Sequence, residues 1–166
     1  MQKYTGPVRK KGILRAVLLS GLLVGTLDIT AACIQAGIGG IGPERVLRYV
    51  ASGVFGEMAF SGTVAYVFFG LLFHYFIAMC WTVLFFILYR RLHLWKYNRM
   101  MTGVAYGIFV GLLMNFIVVP LSNVPRGPVG ILSAVIAVAI LIVAIGLPLS
   151  FRAYSFYSGL QKGKGG

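Results

Sequence analysis

The sequence predicts an all-α, polytopic membrane protein: a four-transmembrane-helix bundle with a short amphipathic helix in the first external loop. Three observations predict it. Charged residues are only 11% of the chain and apolar residues 59%, against about 25% charged in a soluble domain. Four apolar runs each reach the ~20 residues needed to cross a hydrocarbon core of about 30 Å. The 15 Lys and Arg, set against three acids, cluster between those runs, which is how membrane proteins fix their orientation.

The runs lie at about 13–36, 60–89, 101–122 and 129–151. The bilayer core offers no water to backbone N–H and C=O groups, so each run must close its own hydrogen bonds as a helix. The alternating ten-residue segments of a barrel are absent. The first run follows Lys3, Arg9, Lys10, Lys11 and Arg15, as the apolar core of a signal peptide would. It is too long for such a core, contains Asp28, and has no small-x-small cleavage site ahead of a soluble domain, so it reads as a retained helix. In the loop that follows, Gly42-Pro43 starts a helix with Glu44 near its positive end. Val46, Leu47, Val50 and Val54 recur at helical spacing with Arg45, Arg48 and Ser52 off that stripe, which predicts a short amphipathic helix on the outer face of the membrane or a capped extension of the second span. The loop at 123–128 is short and proline-rich, so the third and fourth spans are antiparallel neighbours. Residues 1–157 form one membrane domain, and the Gly- and Lys-rich 158–166 form a disordered basic tail.

Charge sets the topology. Twelve Lys and Arg flank the first terminus, the loop between the second and third spans, and the C-terminal end. Only Arg45, Arg48 and Arg126 fall on the other side. The heavy side is cytoplasmic, giving N-in and C-in. A net charge of +12 would also suit nucleic acid, but no polar domain presents a basic face to phosphate. The partner so implied is the lipid bilayer, with no nucleic acid.

Three polar residues lie inside the apolar runs: Asp28, His74 and Asn115. Counting along the helical rise puts all three at one depth, roughly 21–23 Å from the basic boundary. Each follows a line of small residues: Gly21 and Gly25 before Asp28, Gly70 before His74, and Gly103, Gly107 and Gly111 before Asn115. Small residues at four-residue spacing let helices approach closely. The polar groups therefore face neighbouring helices. An acid at the centre of a span costs about 2.5–3.5 kcal/mol on insertion scales, so Asp28 needs company, and His74 and Asn115 are the candidates. Such residues mark ion, proton or ligand paths, or serve as interhelical hydrogen-bonding glue. One His and one Asp are too few for a metal, and a bis-His haem site lacks its second buried histidine because His93 is in a loop. No cofactor is predicted.

Cys33 and Cys80 sit in different runs at depths differing by about eleven residues, or roughly 16 Å. They are expected to be free, buried thiols, since a disulfide needs Cα atoms within about 7 Å. Pro120 and Pro148 can kink the third and fourth spans. Tyr89, Trp95, Tyr97 and Tyr154 suit an interfacial aromatic belt, while Trp81 is too deep for it and reads as core or lipid-facing. The fourth span carries no charge or amide before Arg152 and reads as a packing helix. Gly21, Gly25 and Asp28 faintly echo Gly107, Gly111 and Asn115, as a parallel repeat of two hairpins would.

Gly25-Thr26-Leu27-Asp28, Ile41-Gly42-Pro43-Glu44-Arg45-Val46-Leu47 with Ala51-Ser52-Gly53, Gly70-Leu71-Leu72-Phe73-His74, and Met114-Asn115-Phe116-Ile117-Val118-Val119-Pro120-Leu121-Ser122 together resemble the YagU-like group of small four-helix bacterial inner-membrane proteins. The resemblance implies four helices and a bacterial plasma-membrane location. The group is functionally uncharacterised, so the resemblance implies no reaction, substrate or site. From the residues themselves, the leading expectation is a non-enzymatic protein whose Asp28, His74 and Asn115 form a buried polar cluster for small-solute or proton-linked transport or for sensing, working as a homo-oligomer. The alternative is an accessory or scaffold subunit of a larger membrane complex. A lipid-modifying enzyme ranks third, for want of a nucleophile–base pair or metal set.

Overall fold

The computed structural model describes residues 10–125 and 130–162, and among these every regular element is helical. Helix α1 is Lys10–Ile38 and α2 is Pro43–Phe55, followed by a 3₁₀ turn at Gly56–Phe60. Helix α3 is Ala65–Arg91. Helix α4 runs from Arg99–Leu113 through a π-helical turn, Met114–Val118, to Val119–Leu121. Helix α5 runs from Ile131–Leu141 through a second π-helical turn, Ile142–Gly146, to Leu147–Lys162. All but α2 are long and apolar enough to cross a membrane, and the outward side chains suit lipid: Phe68, Phe76 and Phe116 are each about two-thirds or more exposed.

The amphipathic helix is a separate element. Gly42 and Pro43 start it, and Gly56, at φ 59°, ends it. It does not lie apart from the bundle. A side chain at Gly70 would overlap the Leu47 carbonyl, so the missing Cβ lets α2 dock against the start of α3. Phe55 packs on Tyr66, Phe69 and Phe73. Asn123, beyond α4, donates from its backbone N–H to Gly53 and from its side chain to the Val54 carbonyl. Arg48 donates to the carbonyls of Ala59 and Gly62 and so holds the connection into α3.

Several boundaries differ from expectation. The second span starts at Ala65 rather than 60, because the chain turns through Gly56–Phe60 and through Gly62 at φ 95°. These residues are apolar but belong to the turn. The fourth span continues past 151 and through the first part of the supposed disordered tail, to Lys162. Residues 163–166 of that tail, and Lys3 and Arg9 of the basic N-terminal segment, lie outside the described residues. Cys33 and Cys80 are free, but Cys80 is exposed and Cys33 only half-buried, so the thiols are not core residues. Tyr89 is not in an interfacial belt. It is buried, stacked on Tyr157 with ring centroids 5.3 Å apart.

The core lies toward the end of the bundle that carries Arg90, Arg91 and Arg99. Phe85 meets Tyr106 edge-on at 4.6 Å, and Val24, Val110, Ile145 and Leu149 close around them. The glycine lines set the contacts. Gly21 and Gly25 lie against Met79, Tyr75 and Ala78 of α3. Gly103, Gly107 and Gly111 face Leu147, Ile142 and Val138 of α5, while Gly146 presses back on the Gly103 carbonyl. At Gly103, Gly107 and Gly146 the approach is to backbone, while at Gly21, Gly25 and Gly111 it is to side chains of the facing helix.

Both prolines act on the turn before them. Each π-helical turn spans the residues from six to two positions ahead of a proline, Pro120 in α4 and Pro148 in α5. A helical proline clashes with the carbonyl four residues earlier, and the widened turn relieves that clash.

Gly107→Ala would set a methyl 2.5 Å from the Ile142 Cα, whereas Gly37→Ala, also in a helix, would meet nothing within 4 Å. In thermal unfolding of the purified protein, Gly107→Ala should lower Tm by several degrees, as overpacking at about 1–3 kcal/mol does. Gly37→Ala should leave Tm unchanged or raise it, since Ala exceeds Gly in helix propensity by about 1 kcal/mol.

Candidate functional site

The polar layer forms where the glycine faces bring helices together. Gly25 lets α1 come within contact of Tyr75 and Ala78, and this exposes the Gly25 carbonyl to α3. His74 Nε2 sits 2.8 Å from that oxygen. A carbonyl only accepts, so Nε2 carries the hydrogen and Nδ1 is left as the ring's proton-binding nitrogen. One residue along each helix, the Thr26 and Tyr75 hydroxyls meet at 2.8 Å. The two bonds join α1 to α3 one turn before Asp28.

Asp28 is half-buried and His74 is buried, and the two are electrostatic neighbours. Among the described residues no side chain donates a hydrogen bond to the Asp28 carboxylate. Both residues line one small cavity of about 90 Å³. Every long helix reaches it: Asp28 from α1, Val50 from α2, His74, Ile77, Ala78 and Trp81 from α3, Val110 and Met114 from α4, and Leu141 and Ile145 from α5. Both π-helical turns border it, through Met114 and Ile145.

Asn115 does not join the cluster. Its side chain is exposed and its amide donates to the Gly111 carbonyl, one turn back in α4, at 2.8 Å. The expected third member fails because the helix widens at Met114. The α-helical spacing that would stack Asn115 below the glycine line ends at that point. The depth argument therefore unites Asp28 with His74 and loses Asn115 to local bonding.

Trp81 is the residue the sequence reading missed. Its indole Nε1 is buried, and among the described residues it has no hydrogen-bond partner. Its carbonyl accepts from the Tyr106 hydroxyl at 2.6 Å. A signal was available: His74, Ala78 and Trp81 follow one another at four- and three-residue spacing, which is one helix face. The aromatic ring drew a reading of core or lipid, and the ring does pack against the core, but the same side chain lines the polar cavity. Val50 was read only as part of the apolar stripe of α2, which was expected on the membrane surface or as a capped extension of the second span.

The walls otherwise carry no hydroxyl or thiol. Among the described residues no three His, Cys, Asp or Glu side chains converge as a metal site. His93, at φ 53°, ends α3 far along the helix from this layer. Comparison with family models, with curated proteins and with solved structures finds no match for this chain.

Proposed function

We propose that Asp28 and His74 form a proton-binding centre inside the bundle, and that the protein serves proton-linked transport or sensing rather than catalysis. The observation that carries this reading is their common cavity. At ~30 Å³ of liquid volume per molecule, 90 Å³ is room for about three waters. That is room for the waters that relay a proton. The carboxylate and the imidazole are electrostatic neighbours, so a proton gained by one changes the field at the other. The ring takes its second proton on Nδ1 while Nε2–H keeps its bond to Gly25. The Trp81 side chain lines the same cavity and can report on it. A lone carboxylate and imidazole with no adjacent nucleophile favour binding over acid–base chemistry on a substrate.

The two π-helical turns support a coupled movement. Such turns occur as hinges and at functional sites, and here both border the charge-bearing layer. Protonation changes the electrostatics of walls supplied by every helix, and the widened turns of α4 and α5 are the softest of those walls. The protein sits with its basic end in the cytoplasm, in the inner membrane of a bacterium. A solute path would need a second copy beside this bundle, so the transport version implies a homo-oligomer. The scaffold reading treats the same pair as interhelical glue.

The chain has two tryptophans, so Trp95→Phe leaves Trp81 as the sole indole. Its fluorescence should change as the pH is lowered. Asp28→Asn and His74→Gln should each alter the curve, and the double substitution should abolish it. A flat curve in the Trp95→Phe protein, or a double variant that still responds to pH, returns the pair to the role of glue.

Gly25→Ala tests the positioning. The new methyl would lie 2.9 Å from the Tyr75 ring and 3.2 Å from the Ala78 methyl. It should lower stability by about 1–3 kcal/mol and distort the same pH curve with both titrating residues intact. A reporter fused at Gly166 should read as cytoplasmic.

A further inference from the structure

A second site lies at the basic end. Helices α1 and α3 separate there to leave an open groove of about 1010 Å³, closed at its back by Tyr157 of α5. Its long walls are apolar: Leu14 and Val17 on α1, Val83 and Ile87 on α3. Leu14, Val83 and Ile87 are 60%, 41% and 51% exposed. Arg90 and Arg91 follow Ile87 at three- and four-residue spacing, so the apolar stripe of α3 runs directly into two guanidinium groups. His93, also lining the groove, stands beyond them.

Among the described residues those charges have no counter-ion. The chain holds three acids: Asp28 sits in the internal cavity, Glu44 on α2 and Glu57 in the turn after it. Among the described residues none pairs with Arg90 or Arg91. The partial negative charge at the C-terminus of α3 favours a cation there but amounts to about half an elementary charge, too little to neutralise two arginines. Both arginines are exposed, so an anion from outside the chain can reach them.

From the groove's two-part chemistry we propose that it is a binding site for one anionic phospholipid. The phosphate is held between Arg90 and Arg91, with His93 within the same headgroup region, and an acyl chain lies along Leu14, Val17, Val83 and Ile87. Arginine recognises phosphate through its planar fork of donors, and basic pockets between transmembrane helices are suited to anionic headgroups. The acyl wall separates this from a free-phosphate site, and the arginine pair separates it from the general lipid contact that any span makes.

The test is thermal unfolding of the full chain in neutral detergent, titrated with phosphatidylglycerol, phosphatidylcholine or inorganic phosphate. Phosphatidylglycerol should raise Tm saturably, and the other two should not. Arg91→Gln, or Arg90→Gln with it, should raise the half-saturating lipid concentration by about tenfold or more. Lys96→Gln removes one charge from the same end outside the groove and should shift it by less than about threefold, against the roughly fivefold that 1 kcal/mol of diffuse attraction per cation would give. Val17→Phe narrows the groove without altering charge and should weaken the response as well. Equal stabilisation by phosphatidylcholine, or equal losses from Lys96→Gln and Arg91→Gln, overturns the proposal. A matching rise with inorganic phosphate assigns the arginines to a free anion and overturns it too. None of these readouts depends on the titration of Asp28 and His74.

Discussion

Helices in a lipid environment gain nothing by hiding apolar surface from water, because the acyl chains are as apolar as leucine. What holds them together is close packing. In this chain the closest packing occurs at glycine. Gly103, Gly107 and Gly146 bring the backbones of α4 and α5 into direct contact, Gly21 and Gly25 let α1 seat against the Met79, Tyr75 and Ala78 side chains of α3, and Gly70 admits α2. The remaining architecture follows from these approaches. The aromatic core of Phe85, Tyr89, Tyr106 and Tyr157 fills the space they leave at one end of the bundle, and the polar cavity lies where all the long helices converge.

The same approaches create the site. A backbone carbonyl in the middle of a helix is normally committed to its own ladder. At Gly25 the absence of a side chain opens it to a second donor, and His74 uses it. The ring is thereby fixed in orientation and tautomer beside Asp28. Cost and placement are linked: an acid inside an apolar span is costly, and here a neighbouring helix, drawn in by glycine, brings an imidazole to the same cavity.

Much of this was legible in the sequence because the governing signals are strong. Runs of apolar length, the cations between them, and glycines at four-residue spacing predict four spans, their antiparallel order and the faces that meet. Asp28 and His74 could be paired by counting helical rise from the basic boundary. The misreadings have local causes. Phe60 is apolar enough to look like the start of a span, and only its place after the Gly56 turn removes it. Asn115 sits four residues after Gly111, the spacing of a shared face, but the widened turn at Met114 breaks that arithmetic. Tyr89 has the composition of an interface residue and a burial decided by Tyr157, far away in sequence. Trp81 shows the limit of residue type as a guide, since one side chain meets both the core and the polar cavity.

The two widened turns have a consequence for how the surface of this protein is to be read. Each behaves as though a single extra residue had been spliced into an otherwise regular helix, so the stripes on α4 and α5 fall out of phase on passing Met114 and Ile142. Upstream of these points, one set of residues faces the bundle. Downstream, the set is rotated, so a helical wheel drawn through the whole span misplaces those residues. The offset from proline is the same in both helices. Faces drawn with that correction give a truer map of which side chains meet lipid.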